Sequence, residues 1–197
     1  MSDNTSKGGR RMEKRSGLDK GEVVLVIIDI QEGLMKAMDP EVGRNLTRNV
    51  QILINFARVM GIPMIATEQY PRGLGKTIPE VAAELGSVTT IEKLSFSCGR
   101  VGAFDEGLRG LGRKEIVLTG IETHVCVLQT AADLIEKGYG VHVTADAVCS
   151  RRKLDWEIGL RWMENMGAMI TTTEIIAFQL LKEAGTDEFK RLSKLVK

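Results

Sequence analysis

Histidine is nearly missing from this 197-residue chain, which has only His124 and His142. Cysteine is almost as scarce: Cys98, Cys126 and Cys149 are present, and no two of them form a Cys-x-x-Cys pair. A zinc site would have to be assembled from scattered ligands, so no metal is expected. A small, odd cysteine count does not make a disulfide framework and points to a reducing, cytoplasmic setting. Charge of one sign is also lacking, since 27 Lys and Arg balance 26 Asp and Glu to a net +1. That balance argues against a nucleic-acid partner bound by phosphate neutralisation. No apolar run approaches the ~18–20 residues that cross a bilayer, so no membrane partner is expected. The polar start MSDNTSKGGRRMEKRSGLDKGE holds no apolar core of a secretory signal. The stretch DIQEGLMKAM, which follows the first apolar run, has a single glycine and no GxGxxG. With no Walker A string either, a dinucleotide or nucleotide cofactor is not expected.

What is present suits one domain. The chain is 43% apolar and 27% charged, ordinary for a globular protein. A chain of this size buries about 70% of its unfolded surface without help from a metal or disulfide. Residues 1–20, basic and poor in large apolar side chains, are expected to be a disordered tail, and 21–197 the domain. Residues 23–30 read VVLVIIDI, the pattern of a strand covered on both faces. Asp39 as N-cap and Pro40 at the first position open a helix expected over about 41–60, closed by Gly61 and Pro63. Further strands are expected at about 64–67, 88–91, 115–119, 141–145 and 168–171. Helices are expected at about 79–85, 103–111, 125–137, 153–166, 174–183 and 187–195, with Thr171 and Glu174 as a capping box for the sixth. Alternation of buried strands with amphipathic helices implies an α/β fold, a parallel sheet between two helical layers. Such sheets hold ligands at the carboxyl ends of their strands, so the residues leaving strands are the ones to question.

Three of these stand out. Asp29 ends the first strand inside an otherwise apolar run, where an unpaired carboxylate would cost several kcal/mol. Lys93 follows the third strand. Cys126 starts the helix after the fourth, where the helix dipole favours a thiolate. Taken singly, each has an ordinary structural role to hand: a loop cap, a solvated lysine, a small core residue. Brought together they would make a base, a cation and a nucleophile, with the cation lowering the thiol pKa below its free value of ~8.5. His124 lies two residues before Cys126, a spacing that turns the two side chains apart on a helix.

The segments VLVIIDIQEGL, TEQYPRGLGKTIPE, IEKLSFSCG and VLTGIETHVCVLQTAADLIEKGYGVHVTADAVCSR together resemble the isochorismatase-like cysteine hydrolases. The resemblance runs over about 22–185 and is strongest to the isochorismatase domain-containing proteins, which share the TEQYPxGLG loop. It implies a three-layer αβα, Rossmann-like fold with a six-stranded parallel sheet in the order 3-2-1-4-5-6. It also implies a catalytic Asp29, Lys93 and Cys126, and a cis peptide at Ile121–Glu122. That peptide would join the N–H of Glu122 to the N–H of Cys126 in an oxyanion hole. The loop TEQYPRGLGK holds no histidine, unlike the metal-binding nicotinamidases of this superfamily. The implied activity is cofactor-independent hydrolysis of a C–N bond in a small molecule through a thioester at Cys126. The alternatives are a vinyl-ether hydrolase, as in isochorismatases proper, or a non-catalytic binding protein on the same fold. Gln31 and Tyr70, which leave the first two strands, are candidate substrate contacts, and Cys98 is a candidate neighbour of the site. Phe178, Leu181 and Trp162 exceed what one core needs and suit a homo-oligomer.

Overall fold

The computed structural model describes residues 17–196. Its strands are β1 (Val23–Ile28), β2 (Met64–Gln69), β3 (Thr90–Lys93), β4 (Glu115–Ile121), β5 (Gly140–Cys149) and β6 (Met169–Thr171). The helices are α1 (Glu32–Met35), α2 (Pro40–Met60), α3 (Pro71–Leu74), α4 (Pro79–Leu85), α5 (Gly102–Gly110), α6 (Leu128–Glu136), α7 (Lys153–Asn165), α8 (Thr173–Leu181) and α9 (Asp187–Leu192). A 3₁₀ turn covers Cys98–Arg100, and a single π-helical turn, Thr123–Val127, leads into α6.

All five strand pairings are parallel, and the sheet order is β3-β2-β1-β4-β5-β6. The alternation of β1 shows why its sequence is apolar throughout. Val23, Leu25 and Ile27 pack on one side with α2, α4 and α8; Val24, Val26 and Ile28 pack on the other with α5, α6 and α7. Each fully buried aliphatic side chain contributes about 1.5–3 kcal/mol, so the central strand is fixed by burial alone.

Helix ends follow local chemistry. The Asp39 carboxylate accepts from the N–H groups of Glu41 and Val42, Pro40 begins α2, and Gly61 closes it in the left-handed region at φ 65°. The expected capping box at Thr171 and Glu174 is corrected by one residue: Thr171 belongs to β6, and the hydroxyl of Thr172 accepts from the N–H of Ile175. Of the expected tail, residues 1–16 lie outside the described residues. The last part of it is packed: Leu18 is buried, its N–H donates to Gln179 Oε1 at 3.0 Å, and Lys20 pairs with Glu188 at 3.3 Å. Leu181 is a core residue rather than a surface one, packed with Ile52, Phe56 and Leu192.

The chain runs outward from β1 to β3 and then returns to place β4 on the other side of β1. The reversal therefore lies between β1 and β4, which opens a crevice at their carboxyl ends. Gly120 sits there opposite Ile28 with φ 118°, and a Cβ at this position would fall 2.0 Å from the Ile28 carbonyl oxygen. Only glycine permits this approach. Gly120→Ala is expected to cost about 4 kcal/mol or more, the range of severe core lesions. Urea unfolding of the purified variant, or its failure to accumulate as folded protein, checks this.

Candidate active site

Asp29, Lys93 and Cys126 converge at the carboxyl end of the sheet, on the side covered by α5, α6 and α7. Asp29 leaves β1 in the left-handed region at φ 51°, a conformation that Asp tolerates better than most residues. Its N–H still bonds the Thr67 carbonyl, at 3.2 Å, so the chain turns while held to β2. The turn aims the carboxylate across the sheet end. Its Oδ2 lies 2.6 Å from Lys93 Nζ, and both side chains are fully buried. Lys93, the last residue of β3, also donates to Gln69 Oε1 at 2.8 Å and to the carbonyls of Phe96 and Ser95 at 3.1 and 3.2 Å. Cys126 Sγ lies 3.6 Å from the same Nζ.

The electrostatics of the trio correct one expectation. Burial, chiefly, and then the Asp29 carboxylate push the Cys126 thiol well above its ordinary value, and Lys93 opposes them without prevailing. The thiol is therefore protonated at rest, where a lowered pKa had been expected from the helix start and the lysine. Burial works most strongly against the Lys93 ammonium, but Asp29, Cys98 and Cys126 together outweigh it and hold the lysine above its ordinary value. The resting arrangement is an ammonium, a carboxylate and a neutral thiol within proton-transfer reach.

The peptide Ile121–Glu122 is cis, at the mouth of the π-helical turn that carries Cys126. The Glu122 carbonyl accepts from the N–H groups of both Val125 and Val127, at 3.1 and 3.2 Å. Its side chain is clamped by Arg151, whose Nε and backbone N–H both donate to Oε2. His124 turns away from Cys126: its Nδ1 is 2.9 Å from Ser150 Oγ, and its Nε2 is 4.0 Å from Asp155 of α7.

The two residues expected to touch substrate occupy different places. Gln31 is fully buried, its Nε2 donating to the carbonyls of Gln69 and Gly75 and its Oε1 accepting from the N–H of Gln69. Those bonds make it a brace between the loop after β1 and the loop after β2. Glu68 ties down the same second loop, accepting from the N–H and hydroxyl of Thr77 and from Lys76. Tyr70 is half exposed at the end of β2, its N–H bonded to the Lys93 carbonyl. Leu94 and Phe96, exposed on the loop after Lys93, flank the same edge. Cys98 is buried against the site.

Sequence reading passed over Thr67 and Gln69. Thr67 Oγ1 donates to Asp29 Oδ1 at 2.7 Å, and Gln69 receives Lys93 as described. A faint signal was available, because 67 and 69 are polar at alternate positions beyond Ile65 on one face of β2. Among the described residues, no group of three or more His, Cys, Asp and Glu is arranged to hold a metal ion. Nor is any helix there long and apolar enough to cross a membrane.

Comparison with known proteins agrees with this fold. The Isochorismatase domain family model matches residues 23–175. Isochorismatase domain-containing protein 2 of Rattus norvegicus is 36% identical over 177 residues, covering 88% of this chain and 80% of the rat protein. The solved MAR1 ribonuclease of Caenorhabditis elegans superposes with a TM-score of 0.86 at 34% identity, over 92% of each chain. The YcaC gene product of Escherichia coli, described as an octameric hydrolase of unknown specificity, has a TM-score of 0.85 at 24% identity. It covers 93% of this chain and 92% of its own, and shares the fold.

The neutral thiol leads to a measurement. The difference in absorbance near 240 nm between the parent and Cys126→Ala is expected to show no thiolate step between about pH 6 and 9. Asp29→Asn removes the carboxylate's repulsion and is expected to bring such a step to lower pH. A step below about pH 8 in the parent would contradict the assignment.

Proposed function

The chain belongs to the isochorismatase family, and on that premise we propose that it is a cysteine hydrolase of a small amide, working through Asp29, Lys93 and Cys126. The observation that carries this reading is Lys93 Nζ standing 2.6 Å from Asp29 and 3.6 Å from Cys126 Sγ in a buried setting. Cys126 Sγ attacks the substrate carbonyl carbon while its proton passes to Asp29, so the thiolate exists only as the new C–S bond forms. The oxyanion is held by the N–H groups of Glu122 and Cys126. Collapse breaks the C–N bond, and Asp29 returns the proton to the departing amine. Water then attacks the thioester with Asp29 as base, and the acid is released with the thiol restored. Lys93 pairs with the Asp29 carboxylate before each attack and offsets the negative charge on sulfur. Amide plus water gives acid plus amine, with no metal or cofactor taking part.

Tyr70 is the side chain we assign to substrate contact, because it is exposed at the end of β2, where its N–H bonds the Lys93 carbonyl. The buried acid and base favour a small molecule over a polynucleotide, although the C. elegans relative is named a ribonuclease. Three free thiols suit a cytoplasmic setting. We also assign a homo-oligomer, with a second copy covering α7, where Leu154, Ile158 and Trp162 recur every four residues as an exposed apolar stripe. The octameric YcaC relative supports self-association.

Ammonia release from a panel of primary amides, ureides and carbamoyl compounds, with mass-spectrometric trapping of an acyl group on Cys126, tests the reaction. Cys126→Ala and Asp29→Asn are expected to lower turnover about 10²–10⁴-fold, the worth of a nucleophile's proton relay. Release of a carbonyl compound from an added vinyl ether, with no ammonia from any amide, would favour the vinyl-ether reading, and no turnover on any class a binding role. Light scattering of Ile158→Lys against the parent tests the assembly, with a smaller particle expected from the variant.

A further inference from the structure

We propose that Thr67 is a positioning residue of this site, its hydroxyl oriented by the buried Cys98 thiol so that it holds the Asp29 carboxylate in place for proton exchange with Cys126. The proposal rests on the triad reading above. Thr67 Oγ1 is 2.7 Å from Asp29 Oδ1 and 3.8 Å from Cys98 Sγ, and all three side chains are buried. A hydroxyl has one proton to give. An ionised carboxylate only accepts, so the Thr67 proton goes to Oδ1, and the bond to sulfur must run the other way, from S–H to Oγ1. Cys98 suits that direction: burial first, and then Asp29, push its thiol up to about 11, so it keeps its proton at neutral pH. Its backbone is pinned by the N–H bond to Thr130 Oγ1 at 3.0 Å. The result is a one-way relay, Cys98 S–H to Thr67 O–H to Asp29 Oδ1.

The relay matters when Asp29 becomes an acid. With Thr67 on Oδ1 and Lys93 on Oδ2, the carboxyl group that takes the proton from Cys126 is held in one orientation between them. There it is in place for the departing amine. Without the Thr67 donor only the Lys93 contact orients the group, and it can turn away from the reaction. The charged and titratable groups that face Asp29 are Lys93 from β3, Cys126 from the π-helical turn and Cys98 from the 3₁₀ turn. Gln69, two residues along the same face of β2, does for Lys93 what Thr67 does for Asp29, accepting from Nζ while its own amide is fixed by the Leu94 carbonyl at 2.8 Å.

The probe is p-nitrophenyl acetate, whose burst of p-nitrophenolate reports acylation of Cys126 and whose steady state reports deacylation. Thr67→Val keeps the shape and removes the hydroxyl; Thr67→Ser keeps the hydroxyl and removes a methyl. Thr67→Val is expected to lower both rates roughly tenfold with KM within about threefold, as for an interaction made in the transition state. It is also expected to move the acid limb of the rate–pH profile to higher pH, because a hydrogen bond to the charged form is lost. Thr67→Ser should match the parent in both respects. If Thr67→Val does not fold, Cys98→Ala against Cys98→Ser makes the same comparison one step back, and only the alanine variant should move the acid limb. A parent-like Thr67→Val profile, or equal losses in the valine and serine variants, would overturn the proposal. So would matching acid limbs in Cys98→Ala and Cys98→Ser. Asp29→Asn separates the two levels. If it acylates and deacylates like the parent, the triad reading fails; if it is inactive while Thr67→Val is unaffected, only the positioning role falls.

Discussion

The ion pair between Asp29 and Lys93 is the constraint on which the carboxyl end of this sheet is built. Two opposite charges removed from water cost several kcal/mol each, and their attraction compensates only when the remaining hydrogen-bonding positions are filled. Here they are filled. Thr67 serves one carboxylate oxygen and Lys93 the other, while the ammonium finds Gln69 and two backbone carbonyls. Taking away one member would strand the other, and breaking such a pair costs about 3–5 kcal/mol. Stability and chemistry therefore rest on the same two side chains.

The pair also sets the state of the thiol. A lysine beside a cysteine would, alone, favour the thiolate, but this lysine is already matched by a carboxylate. Burial decides, and Cys126 stays protonated. A site so arranged holds its nucleophile in reserve: the proton leaves only when a carbonyl carbon is there to take the electron pair.

Around this centre the loops act as braces. Gln31 stitches the loop after β1 to the loop after β2, and Glu68 secures the far side of that second loop through Thr77 and Lys76. Arg151 holds Glu122 beside the cis peptide, so the turn bearing Cys126 is tied to the end of β5. Close approach at Gly120 lets β4 lie against β1 where Asp29 leaves the sheet. Gln31 and Arg151 reach partners 29 to 44 positions away, whereas the Glu68 clamp is local, 8 or 9 positions from what it holds.

The architecture was legible in the chain because burial on both faces leaves a local mark: six apolar residues in β1, helical spacing after Pro40, and glycine or proline where elements stop. Asp29, Lys93 and Cys126 were legible because a carboxylate in an apolar strand and a cysteine at a helix start are locally anomalous, and the motifs around them resemble a known family. The short helices α1 and α3 and the one-residue placement of the α8 cap were not, since each depends on loop contacts made after folding. The charge state of Cys126 was misjudged for a similar reason. Sequence places a cation and a helix start near the thiol, but the depth of burial and the partner already held by the cation are properties of the assembled site. Thr67, at the end of an expected strand, and Gln69, beyond it, showed their roles only once β1 and β3 were laid beside β2. Periodicity and composition act along the chain and determined the layers; the direction of each buried proton depends on distances across the sheet, which only the tertiary structure decides.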